Sequence, residues 1–149
     1  MDQVPGPLWV LLTYKVPREP TANRAQVWRK LKRLGALLIH DAVWVLPATP
    51  WTCEQFQWLA VEIGELGGEA HLWESRLLLQ GQDDALIQQF QARVDILYQE
   101  IVDALERSEA DLVALSRTYQ QVRAQDYFHS EMGQRVRAQL LSARGGSEQ

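Results

Sequence analysis

Short β-prone runs and amphipathic stretches alternate over the first eighty residues of the chain. Leu8–Val16 (LWVLLTYKV) is typical of a buried strand, and the prolines that follow it end the run. Thr21 is then expected to cap a helix over Ala22–Leu34, and Gly35 supplies the C-terminal stop. The pattern therefore opens with a strand followed by a helix.

Two further β-prone runs, Ala36–Ile39 and Ala42–Leu46, lie on either side of His40 and Asp41. They form either a tight hairpin or one bent strand, and periodicity does not separate these alternatives. Ala70–Leu79 (AHLWESRLLL) is a later strand candidate whose last residues carry the weaker signal.

Between these runs, the segment ATPWT predicts the start of a second helix. Pro50 suits the first helical position after Thr49, and Thr52 with Gln55 has the spacing of a capping box. The glycine pair at positions 67–68 ends the helix.

After Gly81 the pattern changes to helices alone. Apolar residues recur every three or four positions in a long amphipathic helix, at Ile87, Phe90, Val94, Leu97, Ile101 and Leu105. A second helix continues the pattern at Leu112, Leu115, Tyr119 and Val122, and a third covers Met132–Leu141 before a frayed tail.

The order of elements favours an α+β fold, a ferredoxin-like sandwich of βαββαβ type followed by a C-terminal helical extension. We predict a ferredoxin-like core over residues 1–80 and a helical extension over residues 81–149. The extension is expected to pack on the core or on a partner subunit, so that the chain forms a single structural unit.

Composition narrows the class of protein only modestly. A hydrophobic fraction of 46% and a charged fraction of 23% are ordinary for a globular protein. The single cysteine excludes an internal disulfide, and the N-terminal apolar run is too short to span a bilayer and lacks a basic leader. The expected location is the cytoplasm, without a membrane partner.

The charge is distributed unevenly. Residues 1–35 contain seven Lys/Arg and two Asp/Glu, a net charge of +5, whereas residues 36–149 carry −9. The seven basic residues are Lys15, Arg18, Arg24, Arg29, Lys30, Lys32 and Arg33. Such an asymmetry suggests that one end of the molecule faces a polyanion or an oxyanion.

The first helix places most of this charge on one side. Its apolar residues Val27, Trp28, Leu31 and Leu34 form one stripe, and the cluster at positions 29–33 lies on the opposite arc. The cluster is either an ordinary solvated face, a surface for DNA phosphates, or part of a pocket in which two or three donors hold an oxyanion. Lys15 and Arg18 are the candidates for oxyanion binding.

Candidate catalytic chemistry is sparse. No histidine has metal-ligand spacing to another His or Cys, and His40-Asp41 lies at a turn where a polar pair is expected for solvation. Cys53, near the start of the second helix, is either a redox-sensing thiol or simply a small residue in a first turn, and no cationic neighbour in the local sequence supports the former. We therefore expect no catalytic residues, no metal and no cofactor.

The six tryptophans are expected to serve packing first. Trp9, Trp28, Trp44 and Trp73 fall on strands or on the apolar helix stripe and are predicted to be core, whereas Trp51 and Trp58 are predicted nearer the surface. A stacking platform for bases is the alternative use of such residues.

Specific stretches resemble a known family. LLTYKVPREPTANRAQVWRKLKRLGALLIHDAVWVLPATP, the following QFQWLAVEIGELGGEAHLWES and the later YQQVRAQDYF are similar to the N-terminal region of ChrB, the bacterial chromate-resistance regulator. The resemblance covers roughly residues 8 to 143. It implies transcriptional control of chromate-inducible genes, a homodimer, and a core similar to the ferredoxin-like domains of PaaX and of CRISPR-associated nucleases.

Two features depart from these families. The CRISPR-associated nucleases carry a metal-binding aspartate at the end of the first strand, where this chain has Tyr14-Lys15. ChrB proteins also continue into a second domain, so a free-standing relative is the expectation here.

Three hypotheses follow. The leading one is a non-enzymatic ChrB-like regulator that binds DNA through the seven basic residues, with an oxyanion such as chromate near Lys15 and Arg18 as a further ligand. The second is a module without DNA binding, which serves either dimeric interaction or oxyanion sensing. The third, a hydrolase or redox enzyme acting on an anion, lacks a nucleophile–base pair and a metal set.

Overall fold

The computed structural model describes residues 7–107 and 109–146, in which four strands form one sheet. The strands are Trp9–Lys15 (β1), Leu37–Ile39 (β2), Val43–Pro47 (β3) and Glu69–Ser75 (β4). Their order across the sheet is β2-β3-β1-β4, and every neighbouring pair is antiparallel. With a helix after β1 and another after β3, this is the βαββαβ topology of a ferredoxin-like fold, as predicted.

The stretch around His40 and Asp41 is a hairpin, so the bent-strand alternative is wrong. Ile39 pairs with Val43, and the amide of Ala42 donates to the carbonyl of Ile39 at 3.0 Å. His40 and Asp41 have φ values of 51° and 58°. Two successive positive φ angles define a type I′ turn, whose twist matches that of the flanking strands.

The first helix, Thr21–Leu34 (α1), begins one residue earlier than predicted. Pro20, in an extended conformation, occupies the N-cap position and provides no side-chain hydrogen bond, so the prediction of Thr21 as a cap is wrong. Gly35 ends the helix with φ 77°, and its amide donates to carbonyl groups of the last turn. This C-terminal stop is confirmed.

The second helix, Pro50–Glu65 (α2), has proline at its first position as predicted. Its capping box, however, joins Thr49 and Thr52 rather than Thr52 and Gln55. The Thr52 amide donates to Thr49 Oγ1 at 3.1 Å, and the Thr49 amide donates to Thr52 Oγ1 at 2.8 Å. A threonine replaces the usual Glu/Gln because it is short enough to bond both the cap and, at 2.6 Å, the carbonyl of Pro47.

One face of the sheet packs against these two helices. Alternation along β1 places Val10 and Leu12 on the same side, and both are buried. The buried residues of α1 and α2 complete this core: Val27, Leu31, Phe56, Leu59 and Ile63. The C-terminal end of β1 and the start of α1 are thereby fixed next to each other.

The chain divides into two compact units, one ending at Asp83, here called the sheet unit, and one beginning at Asp84, here called the helical unit. The remaining helices are Gln82–Leu105 (α3), Leu112–Ala124 (α4) and Glu131–Gly146 (α5). The C-terminal helical extension is confirmed, although α5 runs five residues further than predicted. Packing of the extension on the core or on a partner stays a prediction.

The helical unit has its own apolar core. Its buried residues are Val94, Tyr98, Ile101, Tyr119, Val122, Val136 and Leu140. Tyr98 replaces the predicted Leu97 at the centre of the α3 stripe, and Leu97 is only partly buried against the cluster. No helix among residues 7–107 and 109–146 is long and apolar enough to cross a membrane.

A polar network closes the loop between α4 and α5. The Tyr98 hydroxyl donates to Asp126 Oδ2 at 2.9 Å, and the Ser130 amide donates to Asp126 Oδ1 at 3.0 Å. The hydroxyl of the buried Ser130 donates to Asp95 and accepts from the Met132 amide. These bonds join α3 to the start of α5.

Tyr98→Phe is expected to lower the free energy of unfolding of the helical unit by about 1 kcal/mol at pH 7, because Asp126 loses a donor. Burial, followed by the bond to Asp126, raises the pKa of Tyr98 well above 10. The folded state therefore holds this proton more tightly, and its contribution to stability is complete below pH 10 and is lost as the pH rises further. Urea unfolding followed by circular dichroism at several pH values measures both effects.

The variant should show a shallower alkaline loss of stability than the parent protein. Tyr127→Phe should make this slope shallower as well, because burial also raises the pKa of Tyr127, but it leaves the bond from Tyr98 to Asp126 in place. An unchanged alkaline slope in Tyr98→Phe would contradict the assignment.

Candidate nucleic-acid interface

An open groove of about 610 Å³ lies where β1 ends and α1 begins. Lys15 is the last residue of β1, Arg18 follows in the connection, and Arg24 lies in the first turns of α1. All three side chains line the groove, and all three residues are exposed. The structure therefore brings together three of the predicted cations that the sequence spreads over ten positions.

Aromatic side chains form the floor of this groove. Tyr14, Trp28 and Trp44 line it beside the cations. Trp28 meets Trp44 edge to face, with ring centroids 5.1 Å apart, and the Lys32 Nζ lies 5.3 Å from the centre of the Trp28 ring. Cations and aromatic surfaces thus alternate along one flank of α1 at positions 24, 28 and 32.

The prediction that Trp28 and Trp73 belong to the core is wrong, since they are 45% and 52% exposed. Trp28 lies at the margin of the buried stripe, and Trp73 is on the edge strand β4, where its Nε1 donates to Thr13 Oγ1 at 3.1 Å. The other predictions hold: Trp9 and Trp44 are buried, and Trp51 and Trp58 are exposed.

The opposite flank of α1 faces α2. Lys30 forms a salt bridge with Glu62, and Gln26 donates to the other oxygen of the same carboxylate. Lys30 and Arg33 line a second, smaller depression with residues of α2. Because the Lys30 ammonium already has a carboxylate partner, this residue is less suited to bind a phosphate than its neighbours.

The seven predicted basic residues are therefore not one surface. Within residues 7–107 and 109–146, five of them form no salt bridge: Lys15, Arg18, Arg24, Arg29 and Arg33. Lys32 lies over an aromatic ring and Lys30 is paired with Glu62. Trp28, which was predicted to be core, instead lines the groove. Its spacing of four residues from both Arg24 and Lys32 already indicated that it lies on the same flank of α1 as these cations.

Tyr14 and Asp41 affect the charge of the groove, because one is a neutral phenol and the other a carboxylate. Burial raises the pKa of Tyr14 above 10, while a hydrogen bond with Trp44 and the charge of Arg24 act in the opposite direction. The phenol is therefore neutral at physiological pH. Asp41, on the hairpin turn, also lines the groove and is the one carboxylate among its described lining residues.

Cys53 lacks the electrostatic setting of a reactive thiol. Burial raises the pKa of its thiol, and the charge of Glu74 adds to this effect, whereas a hydrogen bond with Thr52 opposes it. A raised pKa keeps the thiol protonated, so its low nucleophilicity favours the packing interpretation. Among the described residues there is also no group of three or more His, Cys, Asp or Glu able to hold a metal ion.

Comparisons with known proteins identify a family and one relative. Protein ChrB of Cupriavidus metallidurans is 26% identical over 149 residues, an alignment that covers 91% of this chain and 45% of that protein. The chain thus spans about half the length of this relative. No solved structure matches this chain significantly.

The family model described as Protein ChrB, N-terminal, matches residues 24–107, more than half of the chain. The match begins at Arg24, on the groove, and includes all of α2 and the hairpin. This chain belongs to the ChrB N-terminal family.

Proposed function

We propose that this protein is a non-enzymatic regulator in bacterial chromate resistance that binds DNA through the groove and the adjoining outer face of α1. The observation that carries the proposal is the convergence of Lys15, Arg18 and Arg24 beside the exposed ring of Trp28. Membership of the ChrB N-terminal family supports the regulatory context.

The electrostatics favour a polyanion as the ligand. The chain carries a net charge of −4, yet these cations collect at one groove whose described lining residues include one carboxylate, Asp41. An overall negative charge limits non-specific attraction to DNA, and the local concentration of cations directs phosphates to the groove. Arg29 and Arg33 on α1 extend the basic surface beyond it. DNA binding would place the protein in the cytoplasm.

A small oxyanion such as chromate is the alternative ligand for the same groove. Lys15 and Arg18 line it and supply two of the donors that such an ion needs. The two ligands would compete for these side chains, so chromate is expected to weaken DNA binding.

The proposal predicts that the protein binds DNA from its own promoter region with a strong dependence on salt. Each phosphate contact contributes about 0.9 to the slope of log K against log salt, and five or six cations give a slope of about −5. Fluorescence anisotropy between about 0.05 and 0.3 M salt, with and without chromate, measures this slope.

A salt-independent affinity, or no retention on DNA even at the lowest salt, would contradict the proposal. The second candidate, a homodimeric interaction module, would then be favoured. The observation behind it is the exposure of Ile96, Val113 and Leu141 on the helices of the helical unit. Stable dimers without any DNA binding, seen by sedimentation, are its expected result.

A further inference from the structure

A cavity of about 430 Å³ lies within the helical unit, between α3, α4 and α5. Tyr98, Tyr119 and Leu141 provide aromatic and apolar surface, and Arg123, His129 and Arg137 bring nitrogen-bearing side chains to its rim. Its volume falls in the range of small-molecule sites, which combine an apolar wall with a few polar groups.

The two arginines reach this cavity from different helices. Arg123 belongs to α4 and Arg137 to α5, and neither forms a salt bridge with any described carboxylate. Carboxylates that could pair with them are plentiful, because residues 84–149 contain ten Asp/Glu and seven Arg. Arg123 and Arg137 nevertheless line the same cavity, in a unit whose net charge is negative. Their planar donors match the oxygens of an anion.

Asp126 is the one carboxylate among the described residues that line the cavity. Its Oδ2 accepts from the Tyr98 hydroxyl at 2.9 Å and from the Ser130 amide at 3.1 Å, and its Oδ1 accepts from the same amide at 3.0 Å. The carboxylate is thus held by donors of the protein itself. Arg123 lines the same cavity and forms no salt bridge with this carboxylate.

We infer that this cavity binds a small organic anion, with its carboxylate between Arg123 and Arg137 and its apolar body against Tyr119 and Leu141. A bare inorganic oxyanion satisfies the arginines but leaves the apolar wall without contact. This site is separate from the groove in the sheet unit and does not depend on DNA binding there.

Titration calorimetry of the 149-residue chain tests the site with benzoate and hexanoate as carboxylate probes. At least one of them should bind saturably, and benzamide, the neutral analogue of benzoate, should bind about tenfold more weakly or not at all. Arg123→Gln and Arg137→Gln should each weaken the carboxylate about tenfold or more. Arg117→Gln, an exposed position on α4 outside the cavity, should leave it unchanged.

Circular dichroism of each variant establishes that loss of binding is not loss of fold. The inference is overturned if neither carboxylate saturates, if Arg117→Gln weakens binding as much as the two cavity variants, or if sulfate binds as tightly as the carboxylates. These results can be interpreted even if the protein does not bind DNA, because the carboxylate probes test only the cavity of the helical unit.

Discussion

Replacing Lys15, Arg18 and Arg24 together by glutamine is expected to weaken DNA binding on the order of 10²-fold at 0.1 M salt. The three side chains line one groove, so they are placed to contact neighbouring phosphates. Loss of three contacts lowers the salt slope by about 2.7, which amounts to a few hundredfold between 1 M and 0.1 M salt. Anisotropy titrations over a salt series measure both quantities.

A matched control removes the same charge elsewhere. Arg107, Arg117 and Arg135, all exposed, lie in the helical unit and do not line the groove. Their replacement by glutamine should change the affinity far less, because exposed charges that make no direct phosphate contact are weakened by salt. Equal losses in both triple variants would mean that net charge alone governs binding. A groove variant that kept the parent's salt slope would show that phosphates do not contact the groove.

Lys30 offers a sharper comparison within α1. Arg29 has no salt bridge among the described residues, whereas Lys30 is paired with Glu62. Under the proposed function, Arg29 is therefore expected to contribute more to DNA binding than its immediate neighbour. Sequence pattern alone treats the two residues as equal members of one basic cluster.

The helical period explains how much of this site could be predicted. The phase of α1 follows from Val27 and Leu31, both fully buried, and it correctly turns the basic cluster away from the core. The period gives no information on what lies beside each flank. Glu62 is 32 residues away in sequence, so its pairing with Lys30 requires the packing of α1 on α2.

Trp28 also shows that the helical period does not reveal which element covers an apolar residue. A large aromatic residue next to a buried stripe is normally assigned to the core, but burial also requires a neighbouring element to cover it. Here Trp44 contacts Trp28 edge to face, Lys32 lies over its ring, and 45% of the residue stays exposed. The residue that sequence reasoning placed in the core is therefore the one that gives the groove its aromatic character.

Some helix caps could be predicted from local sequence, whereas others depend on tertiary structure. Gly35 and Pro50 act through their own backbone preferences, so their roles could be predicted from local sequence. The partner of Thr52 depends on the path of the chain leaving β3, because its hydroxyl must also reach the carbonyl of Pro47. Such a bond is fixed by tertiary position and not by the spacing of residue types.

The position of Lys15 at the end of β1 depends on one glycine, Gly68. Gly68 connects α2 to β4 and lies against the end of β1. A Cβ atom at this position would come within 2.2 Å of the Lys15 carbonyl oxygen and 3.0 Å of side-chain carbons of Ile63 and Val16. The first of these contacts is with backbone, which cannot rotate away, so only glycine fits without displacing β1.

Gly68→Ala is therefore expected to lower the free energy of unfolding of the sheet unit by about 3 kcal/mol, the upper end of the usual effect of overpacking. The displaced residue is Lys15, so the DNA affinity of the folded fraction should fall as well. All six tryptophans lie between residues 9 and 73, which makes their fluorescence during urea unfolding a direct measure of this unit.

Gly64→Ala provides the matched control, because Gly64 lies in α2 and a Cβ atom there has no neighbour within 4 Å. Alanine is the better helix former, so this variant should be more stable than the parent by up to about 1 kcal/mol. The two substitutions add the same methyl group four residues apart and are expected to have opposite signs. A Gly68→Ala protein with unchanged stability and unchanged DNA affinity would mean that the end of β1 yields easily, and that Lys15 is not held where the groove requires it.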